Sequence, residues 1–151
     1  LEDKIRIAEK LDELGVDFIE GGWPGSNPKD AAFFDAVRTR TWKQAKIVAF
    51  GATRRANIAP ADDPSVQALV AAGTEVCCIF GKSSVMQVEE VLRTTREENL
   101  RMIEETVAYL RAQDKRVIYD GEHFFDAFDA NPDYALATFA AARRGGAETL
   151  V

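Results

Sequence analysis

The feature that most limits what this chain can fold into is an alternation. Short apolar runs, each ending in a turn, take turns with longer segments whose apolar residues recur at helical spacing. Ile5, Ala8, Leu11 and Leu14 share one face of a helix over residues 2–14, and Gly15 is its expected stop. The spacing then predicts a strand over 16–20, broken by Gly21-Gly22, a turn-rich loop through Pro28, and a helix over 29–40. A strand over 46–50, a loop over 51–63 and a helix over 64–72 follow, with Pro64 in the first turn, where its missing N–H costs nothing. The next units are a strand over 75–80, the loop 81–84 and one long helix over 85–113. A strand over 116–120, a helix over 133–144 and a strand opening at 148–151 complete the series.

Strands separated by helices predict an α/β fold with a parallel sheet, each crossover carrying a helix over one face. Two architectures satisfy that pattern: an open doubly wound sheet, or an arc of a closed (β/α)₈ barrel. The polar residues favour the barrel. Glu20, Thr53-Arg54, Lys82, and Asp120 with Glu122 all stand at or just past the C-terminal ends of predicted strands. In a barrel those ends meet at one mouth. An open sheet also places its site there, yet would usually carry a glycine-rich phosphate loop, and neither G-x-G-x-x-G nor G-x-x-x-x-G-K-[ST] occurs. The run begins on a helix and stops within a strand. The expectation is therefore that residues 1–151 are the middle of a TIM barrel, from about its first helix to the start of its sixth strand.

Composition narrows the function classes. A formal charge of −6 leaves nothing to offset phosphate repulsion, which argues against a nucleic-acid partner. No apolar stretch reaches the length of a membrane span, and Leu1-Glu2-Asp3-Lys4 does not open a signal peptide. Cys77 and Cys78 are neighbours in a strand and point to opposite faces, so they are expected as packed thiols rather than a disulfide. With a single histidine, they cannot fill out a zinc set. Reduced thiols fit a cytoplasmic setting.

Several residues are candidates for chemistry. Glu20 could orient a ligand, and Arg54 at the mouth could clamp a carboxylate or phosphate, with Arg55 the lesser candidate. Lys82 lies in Gly81-Lys82-Ser83-Ser84, a loop that could meet substrate through its backbone and hydroxyls. The richest segment is Tyr119-Asp120-Gly121-Glu122-His123-Phe124-Phe125-Asp126. The period of two puts Asp120 and Glu122 on one strand face, where paired carboxylates divide acid and base roles or gather a metal. His123 then faces away, and is expected to pack or to hydrogen-bond near the loop rather than to serve as a ligand.

At this point the runs Ile19-Glu20-Gly21-Gly22-Trp23-Pro24-Gly25-Ser26-Asn27-Pro28, Ala49-Phe50-Gly51-Ala52-Thr53-Arg54-Arg55, Ile79-Phe80-Gly81-Lys82-Ser83 and 119–126 together resemble one family. It comprises the citramalate, isopropylmalate and homocitrate synthases, and the bacterial citramalate synthase type is the most similar. The likeness runs through essentially the whole chain, in order and with matching spacing.

The resemblance implies a metal-dependent TIM-barrel acyltransferase of branched-chain amino-acid biosynthesis. It would condense acetyl-CoA with an α-keto acid, pyruvate favoured, by Claisen-type addition and thioester hydrolysis. Isopropylmalate or homocitrate synthase, a related pyruvate-dependent aldolase or lyase, and a non-catalytic α/β module stand as alternatives. A divalent cation (Mg, Mn or Zn) would polarise the keto group. Its D-x-T-L-R-D-G and His-x-His ligands are absent from this sequence, so no metal ligand is assigned here and the 151 residues alone are expected to be inactive. By the same resemblance Glu122 is the catalytic residue lining the keto-acid pocket. Glu20, Asp120 and Cys77 adjoin substrate, and Gln87 stands where similar sequences often carry histidine. A homodimer is expected of the full-length protein.

Overall fold

The computed structural model describes all residues, Leu1–Val151. Helix α1 (Glu2–Leu14) ends where Gly15, at φ 90°, turns its N–H back onto the Leu11 and Asp12 carbonyls. Strand β1 (Phe18–Glu20), helix α2 (Pro28–Val37) and strand β2 (Lys46–Ala52) follow. A 3₁₀ turn at Pro60–Asp62 leads into α3 (Pro64–Ala71), then β3 (Val76–Lys82). One turn of π-helix, Gln87–Leu92, precedes α4 (Arg96–Ala112) and β4 (Arg116–Glu122). The chain closes with α5 (Phe124–Ala130), α6 (Pro132–Gly145) and β5 (Thr149–Leu150).

The five strands form one parallel sheet in the order β1-β2-β3-β4-β5. Strictly sequential order is what a barrel arc requires. A doubly wound sheet reverses direction midway, and none of these connections does.

The sheet has two unlike faces. Ile19, Ile47, Ala49, Cys77, Ile79, Val117 and Tyr119 pack outward against the helices, in one core with Phe33, Phe34, Leu69, Ile103, Val107 and Leu110. The alternate residues Val48, Val76 and Cys78, with Phe50 and Ile118, make a smaller inner core. Burying the outer set removes the greater share of apolar surface from water, so most of the hydrophobic stabilisation lies between sheet and helices.

Three polar side chains knit the loops to this frame. Asp12 on α1 accepts backbone N–H groups from Lys43, Gln44 and Ala45 at 2.8–3.0 Å, capping the turn that feeds β2. Those backbone donors hold its carboxyl below the usual carboxylate range. Asn27 and Asp63 cap α2 and α3 through their side chains, each followed by proline at the first helical position.

Two expectations about helices need correction. The predicted helix over 85–113 is broken: Arg93 adopts the left-handed conformation at φ 53°, and Thr95 starts α4 afresh by accepting the Glu98 N–H at 3.1 Å. The apolar period runs on through the break, which disguised it. The signal was Thr95-Arg96-Glu97-Glu98, the pattern of a capping box. Helix α5 occupies residues where the sequence pattern predicts a strand end and a loop. It begins abruptly after His123, at φ 54°, and Asn131 ends it while capping α6.

Candidate active site

The C-terminal ends of β1 to β4 supply the candidate residues. Burial along β4 alternates, with Val117, Tyr119 and Gly121 enclosed by helices and Ile118, Asp120 and Glu122 partly open on the inner face. Asp120 and Glu122 therefore share the inner face, as the period of two requires. Register carries this across the sheet: Asp120 pairs with Phe80 and Phe80 with Ala52, while Glu122 pairs with Lys82. Glu20 ends β1 on the same side, its neighbour Ile19 being turned to the helices.

Aromatic rings pave this rim. Phe50 and Phe80 stack at 5.4 Å between centroids, and Trp23 meets both edge-on at 6.4 and 5.6 Å. The Lys82 ammonium lies 5.6 Å from the centre of the Phe80 ring and pairs with Glu122 Oε2. Beside it a cleft of about 360 Å³ is lined by Ala52, Thr53, Arg55, Phe80, Lys82 and Leu92, among others.

The electrostatics divide the acids. Burial pushes the Asp120 carboxyl above its ordinary value, and the nearby Glu122 charge pushes it further. Burial also raises the Cys78 thiol, with the Glu20 carboxylate beside it and Asp120 both adding to the effect. Glu20, Cys78 and Asp120 thus stand near one another on the inner face, Glu20 at its exposed end. A carboxyl held towards its protonated form beside a carboxylate with a cation against it is an arrangement suited to separating acid from base. No three His, Cys, Asp or Glu side chains come together to hold a metal ion. These residues alone do not fit the divalent-cation site that the resemblance implies.

Two of the named residues are tied to the helix side of the sheet. Arg54 turns its guanidinium towards α4. It is 4% exposed and donates to Glu98 at 2.7 Å and to Glu105 at 2.8 Å, both on α4, while its backbone N–H donates to Thr106 Oγ1 at 2.9 Å. Its guanidinium is committed to the helix layer, although the residue also borders the cleft beside Lys82. Cys77 likewise packs outward in the main core, and burial lifts its thiol to about 11. The inward cysteine is Cys78. His123 is exposed rather than packed, its Nδ1 3.7 Å from Asp126. Gln87 begins the π turn, and its buried Oε1 has no hydrogen-bond partner.

Cys78, Phe50, Phe80 and Trp23 were missing from the candidates. Counting back in twos from Lys82 gives 80 and 78, so the inward face of β3 was available once Lys82 was placed at the rim.

Comparison with known proteins decides the family. The chain matches the HMGL-like family over residues 1–151. The chain belongs to that family. It is 54% identical over 151 residues to "(R)-citramalate synthase" of Aquifex aeolicus, covering 100% of this chain and 29% of that protein. For the Synechocystis "(R)-citramalate synthase" the identity is 56%, with 100% and 28% covered. For a Synechococcus "2-isopropylmalate synthase" it falls to 31%, with 99% and 27% covered. The chain thus spans under a third of the length of the curated relatives it matches. Among solved structures, hydroxymethylglutaryl-CoA lyase from Pseudomonas aeruginosa superposes with a TM-score of 0.71 at 17% identity, covering 99% of this chain and 49% of that one. That likeness establishes the fold, an arc of a TIM barrel. No helix is long and apolar enough to cross a membrane.

Proposed function

We propose that this HMGL-like chain forms part of the barrel of an acyltransferase that condenses acetyl-CoA with a small α-keto acid, pyruvate foremost, to give citramalate. The observation that carries the reading is the inner rim, where Asp120, Glu122 and Lys82 stand over an aromatic floor, in a chain more than half identical to named citramalate synthases. The much lower identity to an isopropylmalate synthase supports pyruvate over a branched keto acid. Phe50 and Phe80 support the same choice, because two stacked rings leave little room for a longer side chain.

In this reading Glu122 touches the keto acid and Asp120 adjoins it. The reaction removes a proton from the acetyl methyl group, and the resulting carbanion adds to the keto carbon. The new alkoxide takes up a proton, and water cleaves the thioester to release CoA. Pairing one acid held towards protonation with one held beside a cation provides for the proton movements on both sides of the addition. The full-length protein is proposed to work as a homodimer, and the 151 residues alone to release no CoA.

The test is thiol release by the full-length protein from acetyl-CoA with pyruvate, 2-oxoisovalerate or 2-oxoglutarate. The expected result is the highest kcat/KM for pyruvate. Faster turnover of either larger acid would move the assignment to the corresponding synthase, and release with none of the three would make the chain a non-catalytic module.

A further inference from the structure

The lysine at the end of β3 is held more tightly than a substrate-binding side chain needs. Lys82 and Glu122 occupy paired positions on β3 and β4, so their side chains leave the same face of adjacent strands. Lys82 Nζ donates to Glu122 Oε2, and the lysine side chain is only 16% exposed against 33% for the glutamate. Its ammonium also rides on the Phe80 ring, which is stacked in turn on Phe50. In so enclosed a setting an ion pair is stronger than the same contact in water, and separating it leaves both charges poorly solvated.

The backbone beneath is fixed as firmly. Asn99 on α4, wholly buried, donates from Nδ2 to the Lys82 carbonyl at 2.9 Å and to the Tyr134 hydroxyl at 2.9 Å. The next residue, Ser83, is buried with its hydroxyl 3.3 Å from Thr138 on α6. Before it, Gly81 lies against Tyr119 so closely that a Cβ would come within 2.5 Å of the tyrosine oxygen. Two helices and a neighbouring strand therefore set where this lysine stands.

We propose that Lys82 is the positioning residue of Glu122: it aims the carboxylate into the mouth, and it does not itself bind the substrate carboxylate. The proposal rests on the reading that Glu122 touches the keto acid. The lysine's only ionic partner is Glu122, and it could reach an incoming anion only by abandoning that partner. With the cation gone, Glu122 would stand on the inner face beside Asp120 with no ionic partner of its own. Glu122 Oε1 has no hydrogen-bond partner within the chain and is the oxygen left for substrate.

The experiment uses the full-length protein with acetyl-CoA and pyruvate, comparing Lys82→Met, Lys82→Gln, Lys82→Arg and Glu122→Gln. Lys82→Met is expected to lower kcat at least about tenfold with KM for pyruvate within about twofold. Lys82→Arg, which keeps the charge, is expected to recover most of the loss. Lys82→Gln carries the same expectation as Lys82→Met and stands in for it if the apolar variant does not fold. A rise in KM with kcat unchanged would overturn the proposal by making Lys82 a substrate ligand. Failure of Lys82→Arg to exceed Lys82→Met would overturn it by showing that charge is not what matters. Full activity in Glu122→Gln would instead remove the reading on which the proposal stands.

Discussion

Arg54 and Glu98 meet at 2.7 Å with neither side chain more than 7% exposed, joining the end of the second strand to the first turn of the fourth helix. Glu98 also accepts the Asn57 N–H at 3.0 Å and Arg101 Nη2 at 2.5 Å, and Arg54 Nη2 lies 2.7 Å from Glu105. Of the two arginines on Glu98 only Arg54 is itself buried, so its removal takes away the partner best shielded from water. Arg54→Met is expected to destabilise the full-length protein by roughly 3–5 kcal/mol. Chemical denaturation measures it. A loss below about 1 kcal/mol would mean that the clip adds no more than a surface pair does.

The same clip gives the fold an acid limit. Burial opposes ionisation of Glu98, but the Asn57 N–H and the two arginines outweigh it and hold the carboxyl at about 2, against an ordinary 4.5. A depressed native value contributes stability that is complete above the unfolded value and is lost as pH falls through the native one. The melting temperature should therefore hold steady above about pH 5 and fall between about 4.5 and 2. Glu98→Gln should flatten part of that descent. An identical acid slope in wild type and variant would assign the loss to other carboxylates.

Glu122→Ala in the full-length protein is expected to lower kcat by more than about tenfold, at the lower edge of what a positioned acid or base supplies. Steady-state assay of CoA release reads it. Turnover like that of the wild type would exclude Glu122 from the site.

Neither cysteine should label in the native protein. At pH 8 a thiol lifted to about 11 is ionised in roughly one molecule per thousand, and Cys77 is wholly buried besides. Cys78 is buried and raised by its acidic neighbours as well. Iodoacetamide with peptide mapping should leave both unmodified until denaturant is added. Rapid native alkylation of Cys78 would mean that the inner face opens far more than its packing suggests.

The order of strands and helices could be read from the sequence because each strand is an apolar run bounded by turn formers, and the barrel could be told from the open sheet by where polar residues fell. What escaped depended on partners far along the chain. Arg54 sits at the end of its strand as a mouth residue would, and only Glu98 and Glu105, 44 and 51 positions on, draw it the other way. For the cysteines, sequence showed that they take opposite faces, and counting in twos from Lys82 puts Cys78 inward, a step that the expectation for Cys77 did not take into account. Helix α5 was obscured by its own composition, three phenylalanines and two aspartates crowded beside the acidic strand end.

Because the strands lie in chain order, Trp23, Phe50, Phe80, Lys82 and Glu122 touch in an unbroken line along the rim. Redesign of this rim cannot proceed one position at a time. Enlarging the floor at Phe80 would also unseat the lysine resting on it, and through the lysine the glutamate. The effects of such changes will not add, and productive variants will be found among combinations whose single members look inert or harmful.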